Sequence, residues 1–147
     1  MDNPQLSAAQ EDYLEAIIML ESDRGRVRVR DLAQKLHVHK STVTAALKML
    51  TEKKLIDYEP YGQIELTDSG RQAARRVAGR HALLSCFLRD VLLIDEAVAD
   101  ENACRMEHVM DPALLKRVEQ FYKYLRKREL EDCKWFAGFR EYLQSGS

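Results

Sequence analysis

The chain has 147 residues, 46% hydrophobic and 32% charged, with six Gly and three Pro. This is the composition of a largely helical protein of one domain or two small ones, long enough to bury a core. No apolar run approaches the roughly 18 residues of a membrane span, and no basic stretch precedes a short apolar one as in a signal peptide, so a cytoplasmic protein with no membrane partner is expected. Cys86, Cys104 and Cys133 are odd in number and form no C-x-x-C pair, which argues against a disulfide framework. Cys86 reads as core, and Cys133 is given no role. The net charge of −1 conceals a segregation: residues 24–80 carry 13 Lys and Arg against 6 Asp and Glu, whereas residues 1–23 sum to −6 and residues 81–147 to −2. A basic segment in a neutral protein suggests a polyanion-binding module joined to something else.

In chain order, Ser7 is an N-cap candidate, and Tyr13, Leu14, Ile17, Ile18 and Leu20 give an apolar stripe that predicts a first helix over residues 7 to about 21. Asp23-Arg24-Gly25-Arg26 breaks it. Val27-Arg28-Val29 alternates as a short strand does, and Arg30 to Leu36 reads as a short amphipathic helix. After a turn, a second helix runs from Ser41 or Thr42 to Lys54, with Val43, Ala46, Leu47 and Leu50 inward and Thr44, Lys48 and Thr51 outward. Leu55 to Glu59 and Gln63 to Thr67 alternate around Pro60-Tyr61-Gly62 and predict a β-hairpin. Helix, tight turn, helix and hairpin together make a winged helix-turn-helix.

Thr67-Asp68-Ser69-Gly70 caps a long helix to about Leu92; Asp95 opens another through Cys104 and His108; Asp111-Pro112 opens a third. Residues 113–127 and about 129–143 form the last two helices. The fold class is therefore mainly α, with a winged-helix domain over residues 1–75 followed by a helical domain over residues 76–147.

The N-terminal end of the second helix of a helix-turn-helix enters the major groove. His39, Lys40, Ser41, Thr42, Thr44, Ala45 and Lys48 occupy that end and its exposed face. Short polar side chains there reach base edges, and Ala45 offers apolar contact to a thymine methyl. Ser41 and Thr42 also fit as N-caps. Lys48, Lys53, Lys54, Arg26 and Arg28 suit phosphate contacts, which set affinity without carrying sequence information, and Tyr61 and Gly62 mark the wing tip.

Cys104, Glu107 and His108 are separated by three and four residues, so one helix face gathers a thiolate, a carboxylate and an imidazole. That mixture suits Fe(II), Mn(II) or Zn(II) better than Mg(II) or Ca(II). Asp12 and Glu15, three apart on the first helix, and His81 in a later one add ligands of the same kind, so three helices could supply one site. No H-E-x-x-H, nucleophile elbow or Gly-rich phosphate loop occurs, and no enzyme activity is expected.

These features resemble the diphtheria-toxin-repressor and manganese-regulator family of metal-dependent transcriptional repressors. The resemblance rests on Glu11-Asp12-Tyr13-Leu14-Glu15, Ser41-Thr42-Val43-Thr44, Gly79-Arg80-His81 and Ala103-Cys104-Arg105-Met106-Glu107-His108-Val109-Met110, in order, over residues 7 to about 125. It implies a homodimer with a helical dimerisation and metal-binding domain, metal positions at Asp12, Glu15, His81, Cys104, Glu107 and His108, and metal-promoted binding to operator DNA. Asp12 is the manganese-type choice, where iron-type members have Met; Cys104 is the iron-type choice, where manganese-type members have Glu. Ser85 and Asp100 stand where the iron-type ancillary site has Glu and His. Iron-type relatives continue into an SH3-like domain, so the chain resembles the short two-domain members. The expected function is repression of metal-uptake genes from a near-palindromic operator, with Fe(II) narrowly favoured over Mn(II), and Zn(II) also compatible. A metal-independent winged-helix regulator sensing thiol oxidation at Cys104, or a small ligand, is the alternative.

Overall fold

The computed structural model describes residues 6–128 and 133–146. In order it contains α1 (Ala8–Arg24), α2 (Val29–Lys35), α3 (Lys40–Glu52), β1 (Ile56–Tyr58), β2 (Ile64–Leu66), α4 (Asp68–Asp90), α5 (Glu96–Glu107), α6 (Pro112–Arg126) and α7 (Lys134–Gln144). The mainly helical class and the winged helix are as expected. Two compact units divide the chain, one ending at Gly79 and the other beginning at Arg80.

In the first unit, Ser7 and Gln10 form a reciprocal capping box that starts α1, the Gln10 amide N–H donating to Ser7 Oγ at 3.3 Å and the Ser7 amide N–H to Gln10 Oε1 at 3.1 Å. Gly25, at φ +69°, ends the helix with a left-handed cap, so α1 runs one turn past the expected end at residue 21. The expected strand over Val27-Arg28-Val29 does not form. Val27 makes an isolated antiparallel bridge to Ile64, and Val29 already opens α2, because Asp31 accepts the Arg28 amide N–H at 3.1 Å and starts the helix there.

His37, at φ +53°, turns the chain between α2 and α3. Val43, Leu47 and Leu50 of α3 are fully buried, with Leu14 and Ile17 of α1, Leu32 of α2, Ile56 of β1 and Ile64 of β2 in one core cluster. β1 and β2 pair antiparallel with Ile56 opposite Leu66 and Tyr58 opposite Ile64. Thr67 caps α4 by accepting the Gly70 amide N–H at 3.0 Å, and Arg71 makes a two-bonded ion pair to Glu21 of α1, at 2.5 and 2.9 Å. Gly70 is obligatory: a Cβ there would lie 1.7 Å from the Leu55 carbonyl oxygen.

In the second unit, Asp95 caps α5 and Asp111 caps α6 with Pro112 in its first turn, as expected. Val91, Tyr122 and Leu125 form a small core with Leu83, Cys86 and Phe87 packed against it, so Cys86 is a half-buried core residue. Cys133 stands at the N-cap of α7; residues 129–132 of the expected last helix lie outside the described residues. Asp90 accepts the Tyr122 hydroxyl at 2.5 Å and Arg89 Nε–H at 2.9 Å. Burial pushes the Asp90 carboxyl up, but these two hydrogen bonds outweigh it and hold the group below its ordinary range.

Two outcomes follow. Gly70→Ala should lose about 3 kcal/mol or more of stability in urea denaturation, because backbone and not a flexible side chain blocks the new methyl. For Asp90, the depressed folded pKa means that its stabilisation is complete above the unfolded value of about 3.9 and is lost as pH falls through the folded value. Tyr122→Phe should therefore cost about 1 kcal/mol near neutrality, and its deficit relative to wild type should shrink below about pH 4 when urea midpoints are compared across pH.

Candidate metal centre and DNA-reading helix

The buried stripe of α5 is Ala99, Ala103 and Glu107, each four residues from the last. Two small side chains thus carry a carboxylate into the interior at the helix end, with His108 as C-cap. The Glu107 side chain is 0% exposed. Its Oε1 lies 3.3 Å from His108 Nε2 and its Oε2 lies 3.2 Å from Nδ1 of His81, which α4 supplies. Neither oxygen accepts an aligned hydrogen bond among the described residues. Cys104 Sγ, a Glu107 oxygen and a His108 ring nitrogen lie within 4.8 Å of one another. The remaining His81 nitrogen, Nε2, meets Asp100 Oδ1 at 2.7 Å.

An ionised carboxylate with both oxygens buried and no aligned donor is costly in free energy unless a cation joins it. Sulfur, oxygen and imidazole nitrogen converging on it form a donor set for a transition ion of intermediate softness. The residues present therefore fit a divalent metal. Of the six expected metal residues, the second unit brings together His81, Cys104, Glu107 and His108. Asp12 and Glu15 lie in the first unit, half-buried on α1 and three residues apart on one face. Beside Asp12, burial and then the Asp12 charge push the Tyr13 phenol up.

All seven expected DNA-reading residues are exposed, His39 just before α3 and Lys40, Ser41, Thr42, Thr44, Ala45 and Lys48 on it. One local expectation is corrected. His39 is the N-cap, its carbonyl accepting the Thr42 and Val43 amides at 3.0 and 3.2 Å, so Ser41 and Thr42 lie within the first turn and do not cap it. No side chain caps α3, which suits first-turn amides that receive a phosphate. The Thr44 hydroxyl donates to the Lys40 carbonyl at 2.9 Å. Its oxygen lone pairs remain outward as acceptors. A cleft of about 480 Å³ opens beside α3, its lining including Arg28, Arg30, Lys40, Thr44, Tyr58 and the wing-tip Tyr61.

The family description "Iron dependent repressor, N-terminal DNA binding domain" matches residues 5–64, and "Iron dependent repressor, metal binding and dimerisation domain" matches residues 67–135. The HTH-type transcriptional regulator MntR of Bacillus velezensis is 34% identical over 131 residues, covering 86% of this chain and 92% of that protein. An uncharacterized HTH-type transcriptional regulator of Methanocaldococcus jannaschii is 32% identical over 124 residues, covering 84% and 99%. The chain belongs to the iron-dependent repressor family. A solved manganese-dependent transcriptional repressor in complex with manganese superposes with a TM-score of 0.70 at 31% identity, over 76% of this chain. This iron-dependent repressor homologue spans about half of that longer chain, 51%. Its relatives are DNA-binding regulators and not enzymes, as expected. Among the described residues no helix is long and apolar enough to cross a membrane.

Two residues escaped the sequence reading of this iron-dependent repressor homologue. Arg30 reads as the opening of an amphipathic helix, yet it lines the cationic cleft with Arg28 and Lys40. Asp100 reads as a replaced ancillary ligand, yet it holds His81. The i,i+4 relation of Asp100 to Cys104 was the available signal.

Proposed function

We propose that this metal-responsive DNA-binding regulator is a cytoplasmic homodimeric repressor of metal-uptake genes, occupying a near-palindromic operator when loaded with Fe(II) or Mn(II). The observation that carries the metal reading is the buried Glu107 carboxylate, bracketed by His81 and His108 at 3.2 and 3.3 Å. His81, Cys104, Glu107 and His108 hold the ion, and Asp12 and Glu15 of the first unit complete its ligands, as their spacing on α1 and the family resemblance support. Once bound, the ion supplies the positive charge that these carboxylates and the thiolate lack, favouring the arrangement of the chain in which all of them are ligands. If that arrangement is the DNA-competent one, metal and operator tighten each other by the same factor. Cys104 pulls the choice toward Fe(II) or Zn(II), and the carboxylates toward Fe(II) or Mn(II), so Fe(II) is narrowly preferred.

Ser41, Thr42, Thr44 and Ala45 read base edges, while His39, Lys40 and Lys48, with Arg28 in the adjoining cleft, meet the backbone. The dimer is supported by large apolar side chains left half-exposed on the second unit, among them Val98, Leu114, Phe121, Tyr124 and Trp135. Two-fold symmetry then sets two recognition helices against half-sites about one helical turn apart.

Anaerobic titration calorimetry of chelator-stripped protein, paired with operator binding by fluorescence anisotropy, tests this reading. Glu107→Gln should weaken Fe(II) and Mn(II) binding by more than about 100-fold and abolish metal-stimulated operator binding, leaving metal-free DNA affinity unchanged. Wild-type metal affinity in that variant would overturn the centre proposed. On the DNA side, Lys48→Ala should weaken all sequences alike and lower the salt slope by about 1, whereas Thr44→Ala should relax preference at one base pair by about 1–3 kcal/mol.

A further inference from the structure

We infer that Asp100 is a positioning residue of the metal centre, holding the His81 ring with its proton on Nε2 and the Nδ1 lone pair turned toward the ion that Glu107 shares. The inference rests on the metal centre proposed above and adds to it which nitrogen of His81 is the ligand and what fixes that choice.

A neutral imidazole has one donor nitrogen and one acceptor nitrogen, and the partner of the first decides the role of the second. His81 lies between two carboxylates. Nε2 is 2.7 Å from Asp100 Oδ1, and Nδ1 is 3.2 Å from Glu107 Oε2. A carboxylate only accepts, so the short contact places a hydrogen on Nε2 and has the length of a charge-assisted bond. The other contact is longer, and Glu107 Oε2 receives no aligned hydrogen bond. That edge of the ring is where a cation shared by Nδ1 and Glu107 belongs.

Burial separates the two roles. The Glu107 side chain is 0% exposed and that of Asp100 is 64% exposed. The buried carboxylate requires a cation, and the exposed one is free of that demand and serves to hold the ring. Asp100, Cys104, Glu107 and His108 fall at i, i+4, i+7 and i+8 on α5, so one helix face carries three ligands and the group that orients the fourth, His81 from α4. A carboxylate behind a ligating histidine fixes the ring and raises its basicity, and removing such a partner typically weakens metal binding about 10–100-fold.

The test uses Zn(II) as a diamagnetic probe with the full-length chain. Imidazole ¹⁵N NMR of the Zn(II)-loaded wild type should show His81 bound through Nδ1 with a proton on Nε2. In calorimetry, Asp100→Ala should bind Zn(II) about 10–100-fold more weakly at unchanged melting temperature, and Asp100→Glu should recover most of the loss. Zn(II) bound through Nε2 of His81, or wild-type affinity in Asp100→Ala, would overturn the assignment while leaving the metal centre standing. A wild-type protein that binds no Zn(II), Fe(II) or Mn(II) would overturn the centre itself, and Asp100's role with it.

Discussion

The carboxylate of Glu107 is wholly removed from solvent at the C-terminal end of α5, where unpaired carbonyls already give the helix a partial negative charge. Placing an anion there costs several kcal/mol even after relaxation. The rest of α5 offers little to offset that. Its other buried side chains are Ala99 and Ala103, whose methyls contribute about 0.8 kcal/mol each. The imidazole nitrogens of His81 and His108 lie 3.2 and 3.3 Å from the Glu107 oxygens without an aligned hydrogen bond. A cation at this point is therefore comparable in free energy to the whole apolar anchoring of the helix. With an ion bound where proposed, metal binding and the packing of α5 are one equilibrium, not two.

The first unit is organised in the opposite way. Its core is built from fully buried Leu14, Ile17, Leu32, Leu47, Leu50 and Ile56, which leave α3 one rotational setting. With Val43, Leu47 and Leu50 inward, Lys40, Thr44 and Lys48 recur every four residues on the opposite face, so burying the apolar stripe is what aims the polar one. The approach of α4 to Leu55 at Gly70 and the Arg71 to Glu21 ion pair fix the hairpin and the start of α4 against α1. A firmly packed core behind α3 and a sparsely packed α5 around a buried carboxylate are separate properties of separate sequence stretches.

The same contrast explains what could be read from the sequence. Apolar periodicity marks the helices because core burial is their main stabilisation, and it located α1, α3 and α4 closely. Ser7, Asp95 and Asp111 were legible as caps because their side-chain chemistry is local. Val27 misled, since alternation over three residues is compatible with a single bridge, and the capping carboxylate of Asp31 decided in favour of helix. The N-cap of α3 was also missed, because His39 serves by backbone conformation alone. At the proposed metal centre, Cys104, Glu107 and His108 could be grouped because they lie on α5 and its C-cap. The grouping of His81 with Glu107, and of Asp100 with His81, joins residues 19 to 26 positions apart. Local spacing carries no information about such pairs; His81 was legible as a further ligand of the same kind and as a family metal position, and Asp100 only as a lost ligand.

Charge alone does not explain how a metal ion would change affinity for DNA. The first 23 residues carry −6 and the next stretch, residues 24–80, carries +7, so acidic α1 belongs to the same unit as the basic reading surface. Neutralising Asp12 and Glu15 removes two negative charges, but both side chains are half-buried and still reach solvent, and charges more than about 8 Å apart are largely screened at physiological ionic strength. A regulator that must change occupancy from nearly empty to nearly full needs about 5.5 kcal/mol of difference between its states. Field effects from α1 at longer range fall short of that. In the metal centre proposed above, the larger source is the desolvated carboxylate of Glu107, where screening by solvent is weakest. On the proposed reading, the coupling of metal to DNA therefore depends on keeping Glu107 dry, at the end of the buried stripe that begins with Ala99 and Ala103.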